Sequence, residues 1–359
     1  MWYPSIQFTF RYYEPSKGVH IWKSTNVSNF KVAPSANLDR RSSKSDQFSI
    51  TLDPATPGRY HIEGKHDDDV AISVTFDRLA AGWKLGAGPK GGMTFFGQMP
   101  ADGLDTAGAR NGPETGKSMD GYCIHRFWPR CAVTGILRLG ADVVDLEGSR
   151  GLLSHAIQGM RPDNLACRWN FANFQSPAAA GDGVALCMME FTTVKTYGYS
   201  KVNIGSVVVG DQLVAVTAGG TGIEGKSTAA YANEQKDDTG YMLPGQITYN
   251  WEGPTVFNED PAKVGAPTKA ELVLNLAKNA PGTAYATNGL IQRVDVLGEL
   301  PWAVKKIVNA TGANPYIYTW LNEVAVKVET VTEAGEAKTL ESKGVVFNEA
   351  SYVSKKTLD

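Results

Sequence analysis

Residues 184–193 read VALCMMEFTT, and their pattern decides the fold. In strand register Val184, Leu186 and Met188 point one way, while Ala185, Cys187, Met189 and Phe191 point the other. A strand of a sheet that faces water on one side would alternate; this one is apolar on both faces. It must therefore lie between two packed layers or two barrels. Its neighbours do alternate. In QFSITLD, Phe48, Ile50 and Leu52 oppose Gln47, Ser49 and Thr51. In VAISVTFD, Val70, Ile72, Val74 and Phe76 oppose Ala71, Ser73, Thr75 and Asp77. In VAVKVE, Val324, Val326 and Val328 oppose Lys327 and Glu329. This period of two marks half-buried antiparallel strands, and Gly, Pro, Asn and Asp clusters separate them at the spacing of an all-β sandwich or barrel.

The chain has 359 residues, far more than one small eight-stranded barrel needs. The reading is all-β, with two consecutive antiparallel β-barrels over residues 1–172 and 173–359. One or two short helices complete it, and PWAVKKIVNATG is the best candidate, with Pro301 at the first helical position and Gly312 as the stop.

Composition narrows the function. Hydrophobic residues make up 42% and charged residues 20%, which fits a soluble globular protein and excludes wholesale disorder. A net charge of -2 without a long basic run gives a nucleic-acid partner no electrostatic support. No stretch reaches the roughly 20 apolar residues of a membrane span, so stable membrane insertion is not expected. The first residues, MWYPSIQFTFRYY, lack the basic start and apolar run of a signal peptide and read as a strand. Cys123, Cys131, Cys167 and Cys187 lie in apolar segments without metal-finger spacing, as reduced thiols of a cytosolic protein would.

GTGIEGKS, residues 220–227, satisfies the phosphate-loop pattern G-x-x-x-x-G-K-[ST]. That chemistry needs a strand, loop and helix in a parallel sheet, and the surrounding segments alternate as antiparallel strands. The motif reads as a glycine-rich hairpin or loop. Gly86, Gly88 and Gly91 form a G-x-G-x-x-G with Pro89 inside it and no helix after it. His66 to Asp69 reads as an acidic turn between strands. No G-x-S-x-G, no H-E-x-x-H and no metal-ligand spacing occurs, so hydrolase and oxidoreductase chemistry gain no support and no cofactor is expected.

Residues 155–174, HAIQGMRPDNLACRWNFANF, carry the polar groups that need explaining. Arg168 and Asn170 share one strand face; Cys167, Trp169 and Phe171 share the other. A buried Arg or Asn must be paired or must line a cavity. These residues either satisfy backbone groups where two barrels dock or orient a ligand in an apolar pocket. Tyr122, His125, Trp128, Arg130, His155, Gln158 and Arg161 belong to the same region, and Tyr316 and Trp320 are further aromatic candidates.

FWPRCAVTG, HAIQGMRPDNLACRWNFANFQS, MEFTT, KVNIGSV, NPYIYTWLNEVAVKVE and GVVFNEASYVS together resemble the fungal oxidative-stress survival factor family, in order and spacing, from about Phe8 to Ser354. The resemblance implies that the two barrels are lipocalin-like. WNFANFQ and DGVALCMMEF also give a distant likeness to carotenoid hydratase-type double lipocalins. Two functional branches follow from the family. One is a carrier that moves ceramide between the endoplasmic reticulum and the Golgi, with an amphipathic membrane-binding segment at its N-terminus. The other holds pericyclases that couple a tropolone quinone methide to a humulene-type terpene by an intermolecular hetero-Diels–Alder reaction. This sequence starts directly on the first strand, has Asp163 and Asn164 where the carrier type has a His-His pair, and carries a long glycine-rich insert before Tyr122. These departures favour the pericyclase, with a non-catalytic carrier of ceramide or another lipid as the alternative.

A cycloaddition needs positioning rather than a nucleophile, metal or redox group. Holding both partners in near-attack geometry supplies up to roughly 7–11 kcal/mol in intramolecular models. In the pericyclase reading Arg161, Arg168 or His125 donates a hydrogen bond to the tropolone oxygen. Trp128, Trp169 and Tyr316 wall the terpene, and Tyr122, Gln158, Asn170 and Trp320 complete the substrate contacts. A neutral His155 or His125 serves as general acid in expelling hydroxide from a hydroxymethyl precursor. The partners are then hydrophobic small molecules, a terpene and a tropolone or polyketide.

Overall fold

The structure, a computed structural model, describes residues 6–32, 42–86, 91–97, 120–177, 183–222, 226–257, 264–277, 286–298 and 313–354. Among them the chain runs through β1 (Gln7–Glu14), β2 (Val19–Asn26), β3 (Lys31–Val32), β4 (Ser43–Lys44), β5 (Phe48–Leu52), β6 (Arg59–Lys65), β7 (Val70–Arg78) and β8 (Met93–Phe96). It continues through β9 (Gly121–Leu139), β10 (Asp142–Asp145), β11 (Ser149–Gln158), the short helix α1 (Pro162–Leu165), β12 (Ala166–Gln175), β13 (Val184–Thr193), β14 (Lys201–Val209) and β15 (Gln212–Gly220). The last strands are β16 (Thr228–Ala232), β17 (Gln235–Lys236), β18 (Met242–Leu243), β19 (Gln246–Val256), β20 (Val264–Asn275), β21 (Leu290–Asp295), β22 (Ala313–Val331) and β23 (Ala337–Ser354). The all-β, lipocalin-like reading holds. The proposed helix from Pro301 to Gly312 lies outside the described residues.

Two compact units divide the chain, one of residues 1–80 with 130–153 and one of 81–129 with 154–359. The boundary drawn from the sequence at 172/173 falls inside β12, whereas the chain passes between units within β9 and within β11. A long strand carries no break in composition where it changes unit, so nothing in the pattern marks that place.

In the first unit the pairing order is β10-β9-β7-β6-β5-β4-β3, with the second half of β9 against β7. Tyr60, Val70, Val74 and Cys131 are buried there. The β1–β2 hairpin lays Phe8 against His66, ring centroids 4.1 Å apart and stacked, and against Phe48. The His66–Asp69 turn is an acidic turn, as read. Asp67 accepts the backbone N–H groups of Asp69 and Val70 and pairs with Lys23, and Lys65 pairs with Asp68.

The second unit contains a closed barrel. Its strands follow the antiparallel order β15-β14-β13-β12-β23-β22-β20-β19, and Ala215 of β15 meets Thr255 of β19 to close the ring of eight. The inward face repeats every second residue. Phe174, Leu186, Met188, Tyr249, Trp251, Leu272, Tyr318, Trp320, Val328 and Tyr352 fill the interior. In β22, Val326 and Val328 turn in while Lys327 and Glu329 turn out to solvent, as the alternation requires.

β13 is buried on both faces, and its second layer belongs to the same unit. Val184, Leu186 and Met188 face the barrel core. Phe191, on the outward face, packs with Phe96 of β8, Cys123 of β9, Leu165 of α1 and Ala166. GTGIEGKS joins β15 to β16, two strands of the antiparallel sheet, so no helix follows it and the phosphate-loop context is missing.

Gly205 is required by close approach rather than by a turn. A Cβ there would stand 2.8 Å from Trp251 Cδ1, from Thr217 Oγ1 and from the Cys187 carbonyl oxygen. Two of those neighbours are a fixed ring and a strand backbone. Gly205→Ala is therefore expected to overpack the barrel and lower the unfolding free energy by about 1–3 kcal/mol, read as a lower urea midpoint.

Candidate functional site

The residues singled out in the sequence go to three places, and strand periodicity decides which. Arg168 and Asn170 have the parity of Ala172 and Phe174 and point into the barrel. Trp169, one residue away, points out and lies 4.6 Å from Phe191, ring to ring. His125 joins that outer cluster, 6.3 Å from Trp169 and stacked with Phe127. Arg161 stands at the surface before α1, its guanidinium held in two hydrogen bonds by Asp163. The three alternatives for the hydrogen-bond donor therefore stand in three different places.

The remaining candidates divide in the same way. Gln158 is exposed and His155 half-buried on β11. Tyr122 packs its ring beside Gly159, and Trp128 beside Gly82. Trp320 is fully buried in the barrel and donates its indole N–H to the Ala286 carbonyl at 2.7 Å. Tyr316 packs against the same core, its ring edge-on to Tyr241.

His125 is 5% exposed, and loss of hydration lowers its pKa from 6.5 to about 4. It is neutral at physiological pH. The unfolded chain takes up a proton near pH 6.5 that the folded chain refuses until about pH 4, so stability is complete above 6.5 and falls as pH drops through this window. The loss amounts to about 3 kcal/mol by pH 4. Urea titrations should show this slope in the wild type, and His125→Phe should remove it.

The inward-facing polar residues form one layer inside the apolar barrel. Tyr249 donates its hydroxyl proton to Asn170 Oδ1 at 2.9 Å, and Asn348 Nδ2 donates to the same oxygen at 3.1 Å and to the Phe171 carbonyl. Next to Asn170 across the sheet, Glu190 is buried at 5% exposure; its Oε2 accepts Asn203 Nδ2 at 2.9 Å and the Ala229 backbone N–H at 3.1 Å. Arg168 holds its guanidinium carbon 4.5 Å above the Tyr231 ring. Burial raises the Tyr231 phenol to about 12, against the pull of Arg168 and with the push of Glu190 and Glu234. Burial likewise raises Tyr249 well above the ordinary range, so both phenols are protonated donors.

This layer is not satisfied from within. Asn170 Nδ2, Asn203 Oδ1, Asn348 Oδ1 and the Tyr231 hydroxyl are buried without a hydrogen-bond partner among the described residues. The Arg168 guanidinium beside them lies over the Tyr231 ring and interacts electrostatically with Glu190 and Glu234. Native interiors leave few such groups, because each costs about 1–3 kcal/mol. Donors and acceptors thus stand at one level of an otherwise apolar barrel interior, the kind of polar grouping that orients a small molecule. Among the described residues no group of three or more His, Cys, Asp or Glu could hold a metal ion.

Sequence reasoning found Arg168 and Asn170 but missed Glu190, Asn203, Tyr231, Tyr249 and Asn348. A signal existed for Glu190, a charge at the inward parity of VALCMMEFTT. Asn348 sits likewise at the inward parity of GVVFNEAS. Tyr231 carried none, since an aromatic residue on a short strand reads as core.

A model of the Svf1 family matches residues 1–354. The chain belongs to the Svf1 family. Among Svf1 relatives, the ceramide-binding protein SVF1 of Yarrowia lipolytica is 30% identical over 362 residues, covering 98% of this chain and 78% of that protein. The ceramide-binding protein svf1 of Aspergillus fumigatus is 32% identical over 300 residues, 83% of this chain and 62% of that protein. The crystal structure of CghA with Sch210972 shares the fold, with a TM-score of 0.51 at 10% identity over 94% of this chain and 78% of that one.

Proposed function

We propose that this protein binds a ceramide-type lipid and acts as its carrier. The observation that carries the reading is the polar layer of the barrel, where partnerless donors and acceptors lie within an otherwise apolar interior. A lipid with a small polar head and long hydrocarbon chains matches that distribution. The names of the Svf1 relatives point the same way, since they are ceramide-binding proteins.

The hetero-Diels–Alder coupling favoured by the sequence has weaker support. Of its three alternative donors, Arg161 lies at the surface and His125 in the outer cluster, and only Arg168 belongs to the polar layer. The structural likeness to CghA concerns the fold alone.

The test is extraction of lipid from liposomes. The purified protein is incubated with ceramide-bearing liposomes, separated from them and extracted for mass spectrometry. About one ceramide per chain is the expected result. A protein that emerges empty would overturn the carrier reading and direct attention to the coupling assay, with product ratio and enantiomeric excess compared with and without protein.

A further inference from the structure

We infer that the Arg168–Tyr231 side of the polar layer is the head-group subsite, built for a neutral head that presents a carbonyl acceptor together with N–H or O–H donors. The inference rests on the lipid-binding reading and deepens it. The chemistry follows from which atoms lack partners. On the donor side are the Tyr231 hydroxyl and Asn170 Nδ2, with the Arg168 guanidinium over the Tyr231 ring; on the acceptor side are Asn203 Oδ1 and Asn348 Oδ1. A head with acceptors alone, such as a fatty-acid carboxylate, would leave both asparagine oxygens unanswered. An N-acyl amino alcohol answers both sets.

The elements position these atoms together. Asn170 and Glu190 are direct partners across β12 and β13, and Glu190 and Asn203 are partners across β13 and β14. Asn348 reaches Asn170 from β23, the other neighbour of β12. Tyr231, on β16, lies beneath Arg168. Arg168 and Tyr231 are partly exposed as residues, although the Tyr231 hydroxyl itself is buried, whereas Asn170, Asn203 and Asn348 lie fully inside.

Tyr231→Phe and Arg168→Met test the subsite. The Tyr231 hydroxyl has no partner among the described residues, so its removal breaks no hydrogen bond of the folded protein. Arg168→Met keeps the stem while removing the guanidinium donors together with the charge over the Tyr231 ring, so Tyr231→Phe is the variant that isolates binding from folding. The full chain and both variants are titrated with a fluorescent ceramide, its 1,3-di-O-methyl ether and the matching fatty acid, and their urea midpoints are measured in parallel. The expected result is a midpoint at or above wild type for Tyr231→Phe and binding of ceramide about tenfold weaker in each variant. The wild type should also bind the dimethyl ether and the fatty acid about tenfold less tightly than ceramide. If both variants bind ceramide as the wild type does, the subsite assignment fails while the carrier reading stands. If the wild type binds no ceramide, both fail.

Discussion

Trp251→Ala is expected to cost the protein about 3–5 kcal/mol of unfolding free energy, the usual toll for deleting a buried indole. Trp251 is 1% exposed, inside the closed barrel. Its ring stacks beside Tyr249 at 5.8 Å and fills the space that Gly205 leaves open. Its N–H donates to the Cys187 carbonyl at 2.8 Å, tying β19 to β13 across the interior. Alanine removes the packing and the bond together, and the rigid strands around it cannot collapse into the gap. Urea denaturation followed by the remaining tryptophans measures the effect. A midpoint within a few tenths molar of wild type would show that the barrel is not packed around this ring. Gly205→Ala combined with Trp251→Ala should lose less than the sum of the single changes, because the added methyl then has a cavity to enter.

Glu190→Ala follows, with an expected loss of about 2–4 kcal/mol. The carboxylate itself is costly to bury, but its removal strands two donors, Asn203 Nδ2 and the Ala229 backbone N–H, in a place that water does not reach freely. Glu190→Gln should restore most of the stability, since an amide oxygen can accept the same two bonds. That rescue separates loss of the hydrogen bonds from loss of volume. Equal denaturation midpoints for Glu190→Ala and the wild type would mean that the Glu190–Asn203 pair does not form in solution. The same variants serve the binding question, because a displaced Asn203 would move one of the two unanswered acceptors of the layer.

Much of the barrel was legible in the chain because strand side chains alternate with a period of two, whatever the strand pairs with. The inward and outward sets of residues 167–171, 184–191 and 324–329 follow from that rule alone, and the structure keeps them. The same rule separates two members of the expected site. Arg168 and Trp169 are neighbours in sequence and were assigned to one pocket, yet adjacent residues of a strand stand on opposite faces. Arg161 was grouped with them by proximity, but the turn into α1 carries it to the surface, where Asp163 holds it.

By itself the sequence determined the class of fold, the doubly buried strand, the antiparallel setting of GTGIEGKS and the family, since each depends on local alternation or on contiguous motifs. Tertiary structure alone decided which strands close the ring, because Ala215 meets Thr255 through long-range pairing that no local pattern encodes. It also decided the site. Glu190, Asn203, Tyr231, Tyr249 and Asn348 come from five strands and become one polar layer only when the barrel closes. Which atoms are left without partners is a property of that closed geometry, and it is these atoms that point to the ligand.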